Sequence, residues 1–243
     1  MINNWLKINQ KLNLSRFLRF SFKQNCLMCA APTSELSFCG HCINSLNPAP
    51  NPSCPQCGLS TQGEHCGQCL KSTPAYDTTE ALFSYTFPTS AILQHYKYNN
   101  ALFLSQTFGA LFSEQLAPNN QYKEIDLIIA MPLHADRIKE RGFNQSLEIA
   151  KTMAKQLSIP LDKTSCMRIK NTAPQASLPL KARLKNMRGA FQINMRNNIK
   201  GKRIAIVDDV MTTGASLNEL AKTLKKAGAT HVECWVVARA LQK

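Results

Sequence analysis

The sequence predicts an α/β chain, a parallel sheet flanked by helices, preceded by a small cysteine-rich module. Three observations carry that expectation. Two short runs rich in β-branched residues, Ile125–Ala130 and Ile204–Val207, each lead into a polar loop and then a helical pattern. Such runs read as buried parallel strands in strand–loop–helix units. Four Cys-x-x-Cys pairs stand between Cys26 and Cys69, and the composition shifts over Lys71–Asp77, which places a domain boundary there.

A chain of 243 residues has room for one good-sized domain and a small one. Its formal net charge of +14 points to polyanion partners: nucleic acid, phosphorylated ligands or an acidic membrane surface. The longest apolar run falls far short of a membrane span. Met1–Asn25 lacks the uninterrupted apolar core of a signal peptide. The expected compartment is the cytoplasm.

Residues 1–23 carry Lys7, Lys11, Arg16, Arg19 and Lys23 and no acid, with apolar residues at loosely helical spacing. Such a basic amphipathic extension packs on a neighbouring domain, or lies on a membrane or nucleic acid. Residues 24–73 hold the pairs Cys26/Cys29, Cys39/Cys42, Cys54/Cys57 and Cys66/Cys69. A two-residue gap lets both sulfurs reach one tetrahedral metal, so the spacing predicts two structural zinc ions. Consecutive pairing is the simplest arrangement, and a cross-braced one stays open. Two four-thiolate sites would lower the net charge to about +10. A disulfide scaffold needs an oxidising compartment, to which nothing directs the chain. Closed four-sulfur sites leave no open position for chemistry. His41 and His65 read as bystanders, because the cysteines already complete both sets.

The remaining domain, 74–243, starts with a strand over Glu80–Phe87 and helices over Ser90–Tyr98 and Leu102–Leu116. Between the helices, His95-Tyr96-Lys97-Tyr98-Asn99-Asn100 mixes basic and aromatic residues. That mixture suits single-stranded nucleic acid through charge and stacking, and equally an ordinary helix end with Lys97 at the negative pole of the dipole. The strand Ile125–Ala130 runs into Met131-Pro132-Leu133-His134, then a loop with Arg137, Lys139, Arg141 and Gly142, then a helix to about Leu157. The three cations make an anion site. Asn144 reads as a helix cap. Lys163–Arg203 holds many Lys and Arg and no acid; its part around Arg168, Lys170, Thr172 and Gln175 has the composition of a loop that closes over a ligand. Lys181–Met187 looks helical. Cys166, Cys234 and Trp235 read as core.

The most informative string is Ile204-Ala-Ile-Val-Asp208-Asp209-Val-Met-Thr212-Thr213-Gly214-Ala215-Ser216. A strand ends in two carboxylates, followed by hydroxyls, a glycine and a helix N-terminus. In an open α/β sheet that edge is where ligands bind. Free amides of the first helical turn favour a phosphate, and glycine lets the backbone come close. Alternation along the strand sends Asp208 and Asp209 to opposite faces, which argues against a shared-proton dyad. Divergent acceptors beside a phosphate cradle suit a phosphorylated sugar, with or without a divalent cation. Neither a Walker loop nor a dinucleotide-binding Gly-x-Gly-x-x-Gly is present.

This string resembles the phosphoribosyl-pyrophosphate motif of type I phosphoribosyltransferases. Together with the zinc knuckles, Pro132-Leu-His…Arg141-Gly-Phe-Asn-Gln and Arg168-x-Lys-x-Thr-x-x-Gln, it resembles the ComF/GntX family over nearly all of the chain after Lys23. The resemblance implies a double zinc ribbon joined to a phosphoribosyltransferase-type α/β domain, and a role in natural transformation through single-stranded DNA uptake. It implies that Asp208 and Asp209 hold the ribose of phosphoribosyl pyrophosphate with magnesium. Thr212, Thr213, Gly214 and Ser216 would hold the 5-phosphate, and Arg137, Lys139 and Arg141 are the candidates for the pyrophosphate. On that reading the chain is a phosphoribosyltransferase of unknown acceptor, with DNA-uptake or recombination proteins as partners. The alternatives are a non-enzymatic single-stranded-DNA-binding protein that keeps the fold, and a zinc adaptor for protein partners. Residues 1–23 have no counterpart in the resemblance.

Overall fold

The computed structural model describes residues 24–33, 36–171, 187–194 and 199–241. The extension 1–23 and the segment 172–186, with most of the helix expected at Lys181–Met187, lie outside the described residues. The chain divides into two compact units, Met1–Ser45 and Leu46–Lys243. The double zinc ribbon, a single stretch in sequence, is thus shared between them.

In the smaller unit, β1 (Gln24–Asn25) and β2 (Pro32–Thr33) pair antiparallel, and α1 (Gly40–Asn44) follows. The Cys26 N–H donates to the Ala31 carbonyl at 2.7 Å and the Ala30 N–H to the Cys26 carbonyl at 2.8 Å. These bonds curl the chain into a knuckle around the sulfurs. Phe38 is its buried apolar plug.

The larger unit begins with the second cysteine segment and α2 (Gly67–Lys71). Then come β3 (Thr78–Ser84), α3 (Thr89–Tyr98), α4 (Phe103–Leu116), β4 (Leu127–Ala130), α5 (Ala135–Arg141), α6 (Gln145–Leu157) and β5 (Leu161–Asp162). A short antiparallel ribbon, β6 (Cys166–Arg168) with β7 (Phe191–Ile193), precedes β8 (Arg203–Met211), α7 (Ala215–Lys226) and β9 (His231–Arg239). The main sheet has the order β3-β9-β8-β4-β5, and every neighbouring pair is parallel.

Strand alternation builds two cores. Ile204, Ile206, Val232, Cys234 and Val236 cluster with Leu217, Leu220 and Leu224 of α7, and with Cys54, Cys57 and Cys69. The alternate positions face the other way, where the Trp235 ring meets Phe112 of α4 with centroids 6.2 Å apart. Trp235 and Cys234 are fully buried and Cys166 nearly so, as the sequence predicts.

One expectation changes. Arg137, Lys139 and Arg141 sit on a short helix, α5, and not on a loop. His134 Nδ1 accepts from the Asp136 N–H at its start, and Gly142, at φ +78°, closes its end. Positive φ costs glycine nothing, so it ends helices well.

Gly109 sets how closely α4 approaches α6: a Cβ there would lie 2.5 Å from Thr152 Cβ. Replacing Gly109 by valine is expected to cost about 1–3 kcal/mol by overpacking. Chemical denaturation checks this; an unchanged midpoint would mean the helices separate freely.

Candidate functional site

The sheet order places the site. From β4 the chain moves outward to β5, and from β8 it moves the opposite way to β9. The two connections diverge, so the carboxyl ends of β4 and β8 flank the topological switch point, the place where α/β sheets take ligands. β8 runs past the end of β4: Ala130 is level with Val207, and the Met131 N–H donates to the Val207 carbonyl. Asp208 and Asp209 therefore stand at this switch point, just past the end of β4.

The two carboxylates have different neighbours. Ser146, in the first turn of α6, donates its hydroxyl to Asp208 Oδ1 at 2.9 Å, and the Asp209 N–H donates to the same oxygen at 2.9 Å. Asp209 instead meets Lys97 Nζ at 3.1 Å, with side chains 10% and 18% exposed. Each aspartate thus engages its own helix, α6 or α3. Asn144 places Ser146: its side chain accepts from the Leu147 N–H and donates to the Met131 carbonyl at 3.0 Å. The cap of α6 is thereby stitched to the loop after β4.

Burial, and then the charge of Asp209, raise the Asp208 carboxyl to about 7; Ser146, Lys97 and the Asp209 amide oppose the rise. For Lys97, burial disfavours the ammonium, but Asp209 outweighs it and the pKa stands above its ordinary value. A carboxyl raised by folding binds protons more readily in the folded state. Its stabilising contribution is full below about pH 4 and is lost as pH rises through about 7. Replacing Asp208 by asparagine should therefore raise ligand-free stability on the order of 2 kcal/mol at pH 8 and little at pH 4. Urea midpoints at the two pH values test this, and an equal gain at both would contradict it.

The loop Thr212–Ser216 follows. Gly214 has φ +73°, and a Cβ there would lie 2.8 Å from Met211 Cε and 2.9 Å from the Tyr76 hydroxyl oxygen. Only glycine fits both the backbone and the space. Gly214 is also the N-cap of α7, with no side-chain cap hydrogen bond of its own. The Thr213 hydroxyl accepts from the Ala215 N–H at 3.3 Å. Beneath the loop, Arg239 donates to the carbonyls of Met211 and Thr212.

The predicted cations are spread more widely. Burial lowers the pKa of Arg168, Asp208 opposes that, and Arg137 and Arg141 add to it. These charges therefore share one electrostatic neighbourhood. Arg137 pairs with Glu140 at 2.7 Å. Arg141 lies over the exposed Tyr98 ring, 5.3 Å from its centroid. Lys139 is exposed on α5. Lys170 donates to the Arg188 carbonyl at 2.7 Å. Tyr96 is fully buried and donates to the Gln145 carbonyl, so it offers no stacking face to nucleic acid.

Both cysteine sets converge in consecutive pairing. Cys26, Cys29, Cys39 and Cys42 form one cluster and Cys54, Cys57, Cys66 and Cys69 the other, with the sulfurs of each within 4.8 Å of one another. The Cys29–Cys39 and Cys57–Cys66 sulfurs are 3.7 and 3.5 Å apart. A tetrahedron with metal–sulfur bonds of about 2.3 Å has edges of roughly 3.8 Å, so both sets fit zinc. Burial works against the Cys26 and Cys54 thiolates, yet main-chain amides bring their pKa values down to about 6 and about 7. Among the described residues, neither His41 nor His65 joins a cluster.

A family profile described as a phosphoribosyl transferase domain matches residues 144–243, and one described as a double zinc ribbon domain matches residues 17–70. The chain is 33% identical over 221 residues to competence protein F of Haemophilus influenzae, across 83% of this chain and 96% of that protein. It belongs to the ComF/GntX family. Other ComF-family relatives include the DNA utilization protein YhgH of Salmonella typhimurium, 29% identical over 89% of this chain and 97% of that one. Competence protein ComFC of Streptococcus pneumoniae is 25% identical over 83% and 87%. In this ComF-family chain the phosphoribosyl transferase match begins at the α6 cap, Asn144. It takes in Ser146, both aspartates, the glycine loop and Arg239, whereas Lys97 and the cations of α5 precede it. Among the described residues, no helix is long and apolar enough to cross a membrane.

Sequence reasoning missed Ser146, Tyr76 and Arg239. Only Ser146 left a usable trace, as a hydroxyl just after a predicted cap.

Proposed function

We propose that this ComF-family protein binds phosphoribosyl pyrophosphate at the switch point between β4 and β8 and acts as a phosphoribosyltransferase. The observation that carries the reading is the divergent pair Asp208/Asp209 beside a glycine-cradled helix N-terminus at the switch point. Asp208 and Asp209 accept from the ribose hydroxyls and offer oxygen donors that suit magnesium. The amides and hydroxyls of Thr212, Thr213, Gly214 and Ser216 take the 5-phosphate. Arg137, Arg141 and Arg168 stabilise the charge of the departing pyrophosphate, with Lys139 and Lys170 at the periphery. Positioning and leaving-group stabilisation then supply most of the catalysis.

The test is calorimetric titration of phosphoribosyl pyrophosphate into the zinc-loaded protein, with and without magnesium. Asp208→Asn combined with Asp209→Asn is expected to weaken binding roughly thirtyfold or more, the worth of one charge-assisted hydrogen bond of about 2 kcal/mol. No binding by the folded wild-type protein at millimolar ligand would refute the reading.

A second activity, handling single-stranded DNA in the cytoplasm during natural transformation with uptake or recombination proteins, is supported by the net charge of +14 and by the relatives' names. DNA affinity should fall steeply with salt and survive the double aspartate substitution. Collapse of DNA binding in that folded variant would mean the two sites are one.

A further inference from the structure

We propose that Arg239 is a positioning residue that couples the second four-cysteine centre to the phosphate loop, so that the metal state of Cys54/Cys57/Cys66/Cys69 sets the loop's geometry. The proposal rests on the reading of Thr212–Ser216 as the 5-phosphate grip.

Arg239 is the last residue of β9 and is 1% exposed. Its Nε donates to the Cys57 carbonyl at 2.6 Å. Its Nη1 donates to the carbonyls of Met211 at 3.0 Å, Ala240 at 2.9 Å, and Thr212. One guanidinium thus spans the metal knuckle and the start of the phosphate loop. All of these bonds end on main-chain carbonyls, and no carboxylate pairs with Arg239 among the described residues. A buried cation with neutral partners is a costly choice if only stability is at stake. Its rigid planar fork is well suited to fixing the spacing of separate segments.

The knuckle also packs on the arginine. Gly58 follows Cys57 at φ +68°, and a Cβ there would stand 3.7 Å from both Cγ and Cδ of Arg239 and 3.4 Å from the Thr79 methyl. A zinc ion bound by four thiolates carries a formal charge of −2. The loaded centre therefore offers compensating negative charge beside the guanidinium and holds the Cys57 carbonyl still.

The effect on the loop follows from peptide geometry. A trans peptide is planar and its C=O and N–H point in opposite directions. With the Met211 and Thr212 carbonyls turned toward Arg239, the Thr212 and Thr213 N–H groups are turned away from it. Arg239 thereby aims successive donors of the loop without touching any ligand.

The experiment compares full-length zinc-loaded wild type with Arg239→Met, Arg239→Lys, Cys66→Ser and Cys29→Ser. Zinc content, hydrogen exchange over residues 212–217, exchange over β4, and phosphoribosyl-pyrophosphate affinity are read for each. Arg239→Met is expected to keep both zinc ions, speed loop exchange about tenfold and weaken the ligand about tenfold, the equivalent of one factor of ten in an equilibrium constant. Cys66→Ser should reproduce the loop effect with one zinc ion lost, while Cys29→Ser loses the other ion and leaves the loop unchanged. If Arg239→Met does not fold, Arg239→Lys replaces it, since one ammonium lacks the fork needed for both segments. Unchanged loop exchange in a folded arginine variant overturns the proposal. So does an equal loop response to Cys29→Ser, or a loop response that only parallels opening of β4. If wild type fails to bind phosphoribosyl pyrophosphate, the enzymatic reading falls, and the coupling still stands or falls on the exchange data.

Discussion

Replacing Cys57 by serine is expected to lower the thermal midpoint of the larger unit by roughly 10 °C, from a loss of about 4 kcal/mol or more. The reason is where the second four-cysteine centre sits. Cys54, Cys57 and Cys69 belong to the same buried cluster as Ile204, Ile206 and Leu220. Gln56 donates to the Tyr76 carbonyl at 3.2 Å, and the Thr79 hydroxyl donates to the Gln56 carbonyl at 2.6 Å. A metal bound by these cysteines would therefore support one face of the sheet, and its binding energy would be folding energy. Cys29→Ser strikes a cluster in the smaller unit and should leave the sheet's main transition in place. Calorimetric scans of the two variants decide the matter: similar losses would show that the centres are equivalent in stability.

Replacing Lys97 by methionine is expected to cost about 3 kcal/mol, because it strands the Asp209 carboxylate in a mostly buried position. Adding Asp209→Asn should recover most of that loss, since the charge that needed a partner is gone. A urea-denaturation cycle over the four proteins gives the coupling directly. A coupling near zero would mean that water already satisfies Asp209. On the proposed function the pair would also shape recognition, because a ribose hydroxyl reaching Asp209 would meet an acceptor whose charge is partly committed to Lys97.

The strands were legible because Ile204–Val207 and Leu127–Ala130 are continuous apolar runs, and the metal centres because ligand spacing is a local property. Helix α5 was not. Ala-Asp-Arg-Ile-Lys-Glu-Arg has no apolar stripe, none of its residues is buried, and Ile138 is 42% exposed. Periodicity had nothing to register, although Gly142 after a basic turn was a readable stop. Lys97 was legible as a cation but not as the partner of Asp209, since that pairing depends on how α3 docks against β8. Arg239 was least visible of all. It is one arginine at the end of an apolar strand, and its role arises from two carbonyl-bearing segments, at Cys57 and at Met211–Thr212, that meet it only in the folded chain.

The sheet order has a consequence for how the protein is made. β9 lies between β3 and β8, yet it is synthesised after both. Until the ribosome has released it, β3 lacks β9, its one strand neighbour among the described residues, and β8 presents an unpaired inner edge. Open edges of this kind recruit other chains. The nascent protein thus passes through an interval in which its central sheet is split. When β9 emerges it both closes that gap and, through Arg239, ties the Met211–Thr212 backbone to the Cys57 carbonyl.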